Sequence, residues 1–367
     1  MEKPWPATST DVRSAAWSSP GVAEDTKGPK GGGKQVVLVR RPVGDFKPED
    51  FEVRETPVPS ELGEGEALVQ NVLVSLDPTH RIWASDDRQY MPCVGLNTVM
   101  RAGTLGKVVK SSDEAKMPVG SYVSAFGGVQ AYCVAPIATL NPAVPDVPLS
   151  YNLSLFSSII GLTAWVGSNI CEPTAGKTIV VSGAAGAVGS LAGQVCQNRG
   201  ARVIGIAGSA EKCAWLTGEL GFAGAINYKT EDVAARLREL APGGIDGYFD
   251  NVGGTILEEV LLQMNNLGNI AFCGSISGYN SKDGQTMTIT NYQMILFRRI
   301  KVQGFVCVDH VADMGKAIGE LGGYLKEGKC KFKEDIVEAP LDDYVKTVNK
   351  LYDGTNSGKL MMKICAE

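Results

Sequence analysis

The stretch Val180-Val-Ser-Gly-Ala-Ala-Gly-Ala-Val-Gly189 decides how the rest of this chain is interpreted. An apolar run over 178–181 leads into three glycines spaced three residues apart, and apolar residues then recur at helical spacing. Strand, glycine turn and helix is the context in which free backbone N–H groups and the helix dipole bind a dinucleotide pyrophosphate. The spacing is G-x-x-G-x-x-G, with Ala185 where a glycine is usual, so an ordinary strand-to-helix turn is the alternative.

The residues after this stretch repeat the same strand–helix rhythm. The patterns predict strands over 178–182, 201–206, 224–227, 245–250 and 269–273, alternating with helices over 187–199, 210–220, 230–240 and 254–266. Short links between alternating strands and helices predict a parallel sheet with helices on both faces. A polar loop over 275–290 follows a strand end, where such sheets form their binding crevice.

The residues before this stretch have a different, β-type pattern. Short apolar runs at 36–39, 51–54, 66–76, 106–109, 121–124 and 131–135 are punctuated by Pro, Gly and Asp, and they predict a small all-β barrel of about 110 residues. A buried helix is predicted over 153–167. The tail predicts a strand ending at 306, a helix over 311–326, a strand over 334–337, a helix over 342–352 and a last strand over 358–364 that rejoins the barrel.

Length, composition and charge exclude several function classes. The 367 residues suggest two domains, and a net charge of −5 without a basic block argues against nucleic acid or an anionic membrane surface as partner. No apolar run approaches the ~20 residues that cross a bilayer. Nine scattered cysteines without a CxxC motif indicate buried thiols in a reducing compartment.

The first 33 residues are rich in Pro, Ser, Gly and Lys and have little apolar periodicity. They are predicted to be a disordered leader. A transit peptide is the alternative, but four acidic residues in this segment do not suit one, so we expect a cytoplasmic protein rather than an organellar import.

The end of the second predicted strand indicates which dinucleotide is bound. An NAD site usually places Asp or Glu there to hold the ribose, whereas this chain has Ala207-Gly208-Ser209 and then Lys212. A hydroxyl and a lysine at a helix start suit a phosphate dianion, which favours NADPH. A solvated helix lysine is the alternative for Lys212.

The barrel region lacks the residues of a catalytic zinc site. It has no zinc-ligand pattern of Cys or Gly-His-Glu and no four-cysteine lobe. His80, close to Asp77 and Arg81, is interpreted as a surface or structural histidine. We therefore expect no metal. Hydride delivery to a polarised C=C bond then becomes more natural than alcohol oxidation.

The chain resembles the zinc-independent, NADPH-dependent alkenal/one-oxoalkene reductases of the medium-chain dehydrogenase/reductase superfamily. This family includes leukotriene B4 dehydrogenase–prostaglandin reductases, plant double-bond reductases and bacterial curcumin reductase. The resemblance runs from about residue 35 to the C-terminus. It is carried by the motifs VSLDP at 74–78 with Arg81, GLTA at 161–164, VSGAAGAVGS at 181–190, GIAGS at 205–209 with Glu211-Lys212, INYK at 226–229, YFDNVGG at 248–254, CGSIS at 273–277 with Tyr279-Asn280, GFV at 304–306, and Asn356 with Gly358-Lys359.

The resemblance implies an α/β fold with a GroES-like β-barrel catalytic domain and a Rossmann doubly wound parallel-sheet domain. The domains would span 34–155, completed by 328–367, and 156–327. The residues implied to bind NADPH are Gly186, Ala187, Val188 and Gly189 at the pyrophosphate, Ser209, Lys212 and Tyr228 at the 2′-phosphate, and Asn251, Cys273, Phe305, Val306, Cys307 and Asn356 towards the nicotinamide.

The resemblance also implies the reaction. Hydride passes to the β-carbon of an α,β-unsaturated aldehyde or ketone, and the resulting enolate is then protonated at its α-carbon. Tyr279 and the nicotinamide ribose hydroxyl are the implied hydrogen-bond donors to the carbonyl oxygen where charge develops. The family commonly has tyrosine after Asp-Pro where this chain has Thr79, which would face the substrate. A second family tyrosine aligns with Phe297, with Tyr292 nearby as the candidate replacement.

Three other functions stay open from the sequence. The first is an NADPH:quinone oxidoreductase of the same superfamily, although the residues from Cys273 to Asn280 favour the alkenal branch. The second is a non-enzymatic NADPH-binding sensor, suggested by Thr79 and the leader. The third is a secondary-alcohol dehydrogenase, which tightly bound zinc would support. The expected partner is a small molecule, and a homodimer is possible.

Overall fold

The computed structural model describes residues 30–281 and 288–366, whose strands form two separate sheets. The first has ten strands: β1 (Gly31–Leu38), β2 (Phe51–Thr56), β3 (Glu66–Ser75), β4 (Thr98–Val99), β5 (Thr104–Ser111), β6 (Tyr122–Ala125), β7 (Gln130–Pro136), β8 (Asn141–Pro142), β15 (Glu334–Glu338) and β16 (Lys359–Lys363). Its main path runs β2-β1-β7-β3-β5-β6-β8 and is antiparallel throughout. The C-terminal strand β16 pairs antiparallel with β3, which confirms that the tail rejoins the β domain.

The second sheet has six parallel strands in the order β11-β10-β9-β12-β13-β14. They are β9 (Thr178–Ser182), β10 (Arg202–Ala207), β11 (Gly224–Asn227), β12 (Ile245–Asp250), β13 (Met264–Phe272) and β14 (Lys301–Gly304). This order is that of a doubly wound dinucleotide-binding sheet, as predicted. The strand order reverses between β9 and β12, so a crevice opens at their carboxyl ends, beside the glycine-rich stretch 180–189.

Ten α-helices connect or cover these strands in the described ranges. They are α1 (Thr79–Trp83), α2 (Thr163–Cys171), α3 (Ala187–Asn198), α4 (Ala210–Gly218), α5 (Val233–Leu240), α6 (Gly254–Gln263), α7 (Ile276–Tyr279), α8 (Gln293–Arg298), α9 (Met314–Lys326) and α10 (Tyr344–Asp353). Short 3-10 turns occupy 48–50, 137–139, 149–153, 307–313 and 341–343, and a π-helical turn occupies 158–162. No helix in the described parts of the chain is long and apolar enough to cross a membrane.

Apolar residues on alternate positions of the parallel strands explain why helices cover both faces. Ile179 and Val181 of β9 pack into a core with α2 and α3, whereas Val180 faces the opposite core with α5 and α6. All these side chains are fully buried. A strand buried on both faces has a continuous apolar run, which is the pattern that the sequence shows.

Several predicted boundaries differ from the structure. Residues 1–29 of the predicted leader 1–33 lie outside the described residues. Its last three residues already belong to β1, because Gly31 and Gly32 pair with β7 and Gly33 pairs with β2. The single helix expected over 153–167 is divided into a π-helical turn and α2. Helix α6 ends at Gln263, since Met264 takes extended backbone and starts β13. Of the loop 275–290, residues 276–279 form α7, and 282–287 lie outside the described residues.

Candidate cofactor and substrate site

The glycine turn between β9 and α3 is closely packed against its own backbone. Gly183 has a φ of +58°, and a Cβ atom at Gly189 would lie 2.4 Å from the Gly183 carbonyl oxygen. Helix α3 begins at Ala187, directly after Gly186, so the N–H groups of residues 187–189 are in its first turn and have no intrahelical acceptor. This turn presents free donors and the positive helix end to the crevice, as a pyrophosphate requires.

The candidate 2′-phosphate residues converge at the end of β10. The Ser209 hydroxyl caps α4 by accepting the Lys212 N–H at 3.2 Å, and the Tyr228 ring lies against Gly208. Lys212 is half-buried, and its Nζ donates to the Gly354 carbonyl oxygen at 2.7 Å. Burial lowers the pKa of Lys212, and the nearby charge of Lys229 lowers it further. The structure therefore brings together the three residues that the sequence suggested.

Asn251 lies at the carboxyl end of β12, directly across the crevice opening from β9. Its Nδ2 donates to the Ser182 carbonyl at 2.7 Å, and its backbone N–H donates to the Ser182 hydroxyl at 2.9 Å. The preceding residue, Asp250, is fully buried and accepts from Ser182, Tyr248 and two backbone N–H groups. Burial raises the pKa of Asp250. Sequence reasoning did not single out Asp250, which fixes the shape of this strand end.

The candidate nicotinamide-side residues come from the ends of β13 and β14. The Cys273 N–H donates to the Asp250 carbonyl at 2.9 Å, and Phe305 packs edge-to-face on Phe249 with 6.2 Å between ring centroids. Val306 precedes the 3-10 turn that starts at Cys307. Burial raises the pKa of both Cys273 and Cys307, so both thiols stay protonated at neutral pH. All nine cysteines are free, and four of them, Cys133, Cys171, Cys196 and Cys330, are buried, as expected.

A C-terminal segment reaches the glycine turn from the other sheet. Gly358, which precedes β16, forms a parallel bridge with Gly186. Asn356 lies two residues earlier, and its Nδ2 donates to the Gly358 carbonyl at 3.0 Å. These contacts place Asn356 near the glycine turn, so the crevice has a wall that belongs to the antiparallel sheet.

The hydroxyl of Tyr279 turns back towards the end of β13. It accepts the Ser275 N–H at 3.2 Å, and a Cβ atom at Gly274 would lie 2.9 Å from it. Gly274 is itself next to the Asn251 carbonyl oxygen, so Tyr279 and Asn251 are near neighbours. Burial raises the pKa of Tyr279 to about 12, which keeps the phenol protonated and able to donate a hydrogen bond.

Thr79 begins α1, and its hydroxyl is buried without a hydrogen-bond partner among the described residues. His80 beside it is fully buried, so of the two interpretations of this histidine the surface one is wrong. The His80 Nδ1 lies 3.0 Å from the Tyr344 hydroxyl, and its ring stacks on Trp83 at 5.5 Å between centroids. Burial lowers the pKa of His80 to about 4, so this histidine is a neutral structural residue.

Asp77, which precedes α1, forms a buried ion pair with Lys359 of β16. The Lys359 Nζ lies 2.7 Å from Asp77 Oδ1 and 2.8 Å from the Leu76 carbonyl, and the Ser75 hydroxyl donates to Asp77 Oδ2 at 2.5 Å. Burial alone would raise the pKa of Asp77, but the Lys359 ammonium holds it below its ordinary value. The pair ties the turn that carries Thr79 to the strand that follows Asn356.

Two tyrosines differ from the sequence-based picture. Tyr292, the candidate replacement for the second family tyrosine, exposes 69% of its surface. Tyr90, which sequence reasoning missed, accepts a hydrogen bond from the Trp83 indole N–H at 3.2 Å and lies within electrostatic range of Cys307 and Tyr279. No local pattern in the sequence marks Tyr90, because Cys307 and Tyr279 are distant from it along the chain. Over residues 30–281 and 288–366, no group of three or more His, Cys, Asp or Glu side chains could hold a metal ion.

Comparisons with known proteins agree with this geometry. Residues 34–142 match the family described as the N-terminal domain of oxidoreductase, and residues 187–321 match the family described as zinc-binding dehydrogenase. The chain is 34% identical to an NADPH-dependent curcumin reductase of Escherichia coli (strain K12), covering 90% of this chain and 96% of the relative. It is also 34% identical to an NADP(+)-dependent 2-alkenal reductase of Nicotiana tabacum, and that alignment covers 91% of this chain and 98% of the relative.

A solved structure extends the likeness to three dimensions. The crystal structure of CurA in complex with NADPH from Vibrio vulnificus superposes with a TM-score of 0.84 at 35% identity, covering 91% of this chain and 100% of that one. The likeness thus includes both sheets. From these matches, together with the crevice, we conclude that the chain belongs to the zinc-independent medium-chain dehydrogenase/reductase family of NADP-dependent alkenal and curcumin reductases.

Proposed function

We propose that this protein is an NADPH-dependent reductase of the C=C bond in α,β-unsaturated aldehydes and ketones, a 2-alkenal/one-oxoalkene reductase that acts without zinc. The observation that carries the proposal is the position of Tyr279. Its hydroxyl is protonated, accepts the Ser275 N–H, and stands at the carboxyl edge of the parallel sheet beside Asn251. The relatives named above, which reduce alkenals and curcumin, support the same reaction class.

The described residues fit NADPH as the cofactor. Gly189 packs so closely on Gly183 that a side chain there would collide with backbone. The first turn of α3 offers N–H groups without intrahelical acceptors to a pyrophosphate. Ser209, Lys212 and Tyr228 would hold the 2′-phosphate, and Asn251, Cys273, Phe305, Val306, Cys307 and Asn356 would line the nicotinamide end. When bound, NADPH supplies the hydride for the β-carbon.

The chain's own residues then have separate tasks. With one lone pair of the Tyr279 oxygen engaged by Ser275, its O–H can donate to the carbonyl oxygen of the substrate, where negative charge develops. The buried Thr79 hydroxyl has no hydrogen-bond partner among the described residues, and it would be a second polar contact for the substrate. Phe305, packed on Phe249, helps to exclude water from the nicotinamide end, and positioning in a dry crevice lowers the barrier further.

A panel of acceptors tests the proposed reaction against its closest competitor. With NADPH present, we expect rapid turnover of a 2-alkenal and much slower turnover of the matching saturated aldehyde, since only the first has a C=C bond conjugated to its carbonyl. An ortho-quinone of similar size completes the panel. Faster turnover of the quinone than of every alkenal would contradict the proposal and favour a quinone oxidoreductase.

A homodimer is part of the proposal. Strand β14 lies at the edge of the parallel sheet, and its Val302 is 44% exposed. Nearby in the chain, Tyr292, Leu296 and Phe297 expose 69%, 74% and 62% of their surfaces. An open strand edge flanked by exposed apolar side chains favours pairing with a second copy, which would also cover Tyr292. We expect sedimentation equilibrium to give twice the chain mass at micromolar concentration, and a monomer there would contradict the dimer.

A further inference from the structure

The segment that enters β15 is fixed next to the pyrophosphate turn. The Lys333 carbonyl oxygen accepts the Lys359 N–H at 2.9 Å, and a Cβ atom at Gly358 would lie only 2.1 Å from that oxygen. Gly358 in turn bridges Gly186. The backbone of Lys333 therefore contacts Gly358, which contacts the glycine turn, although Lys333 leads into a strand of the antiparallel sheet.

The side chain of Lys333 extends from this position onto α4. Its Nζ stands over the Trp215 ring, 5.7 Å from the ring centroid. Trp215 is three residues after Lys212, so the two side chains share one face of the helix. The helix whose N-terminus carries Ser209 and Lys212 thus also receives an ammonium group from the other sheet.

Positive charge accumulates here without ion-pair partners. Among the described residues, no carboxylate forms a salt bridge with Lys212, Lys229 or Lys333. The carboxylates of Asp353 and Glu211 act on the charge of Lys212 through space, without an ion pair. After burial, the charges of Lys229 and Lys333 both act to lower the pKa of Lys212. Like charges repel each other, so a dianion placed among them would be stabilised by all three lysines.

We infer that Lys333 is a specificity-determining residue that joins Lys212 in recognising the 2′-phosphate of the cofactor. The inference rests on the proposed NADPH cofactor and adds a residue that the phosphate-binding strand end does not contain. Residues from both parts of the fold would then bind the phosphate. Lys212 lies in α4, beside the parallel sheet, and Lys333 lies directly before β15 of the antiparallel sheet. The Gly354 carbonyl that now accepts from Lys212 belongs to the same C-terminal wall.

The test measures cofactor affinity rather than turnover. NADPH and NADH dissociation constants are determined by calorimetric titration for the wild type, Lys333→Met and Lys333→Arg. Methionine keeps an apolar stem on Trp215 but removes the charge, so we expect NADPH binding to weaken about tenfold and NADH binding to stay within twofold. Arginine keeps the charge and is expected to retain most of the preference for NADPH.

Lys331→Met is the matched control, because it removes the same charge two residues away, where Nζ pairs with the exposed Glu219. It should leave both affinities unchanged. An unchanged NADPH affinity in Lys333→Met, or an equal loss for both cofactors, would overturn the inference while the proposed function stands. Wild-type protein that binds both cofactors equally would overturn the cofactor proposal itself. If Lys333→Met does not fold, Lys333→Gln answers the same question.

Discussion

Replacing Lys359 with methionine is expected to lower the free energy of unfolding by about 3–5 kcal/mol, because the change leaves Asp77 as an unpaired buried charge. Both side chains are almost fully buried, at 1% and 3% exposure. The ammonium also bonds the Leu76 carbonyl, which would lose its partner. Urea denaturation followed by circular dichroism measures the loss.

Lys363→Met provides the control on the same strand. Its Nζ lies 3.2 Å from Glu338, whose side chain is 76% exposed, so this pair should contribute no more than about 1 kcal/mol. The double variant Asp77→Asn, Lys359→Met removes both charges and should lose less than the two single variants added together. Equal losses of unfolding free energy for Lys359→Met and Lys363→Met would contradict the stabilising role given to the buried Asp77–Lys359 pair.

Tyr279→Phe is expected to lower kcat for a 2-alkenal by about 100-fold while the NADPH dissociation constant stays unchanged. The substitution keeps the ring and removes only the hydroxyl, which accepts the Ser275 N–H and is free to donate its own proton. Because the pKa of Tyr279 is raised to about 12 by burial, the donor form persists across the neutral range. Steady-state kinetics with saturating NADPH separate the loss in kcat from any change in KM.

Tyr132→Phe is a suitable control for this measurement. Tyr132 lies in β7 of the antiparallel sheet, where it pairs with β1 and β3, and the same oxygen atom is removed there. Activity should be retained. An alkenal turnover in Tyr279→Phe that matches the wild type, with cofactor bound, would remove Tyr279 from the proposed catalytic role.

The parallel sheet was predictable because its signals are local. The apolar run of β9, the glycines after it and the helical spacing of α3 follow each other within about 20 residues. The repetition of strand and helix after them predicts the other strands of the sheet. The same holds for Ser209 and Lys212, which stand where β10 ends. Membership of the family was likewise readable from ordered motifs.

Contacts between distant segments were not predictable from pattern alone. His80 meets Tyr344 across 264 residues, and Lys212 meets the Gly354 carbonyl across 142 residues. Such pairs depend on how β16 docks on β3, which periodicity does not specify. For the same reason Tyr90 went unnoticed, and the exposure of Tyr292 could not be foreseen. An exposed helix start and a buried crevice residue have similar local sequence.

The oxidation of NADPH by 4-hydroxynonenal, followed at 340 nm with identification of the product, tests the central claim most directly. We expect rapid loss of absorbance with NADPH, little loss with NADH, and a product that retains its aldehyde but has lost the C=C bond. An allylic alcohol as product, or folded protein that binds NADPH and reduces no alkenal, would contradict it.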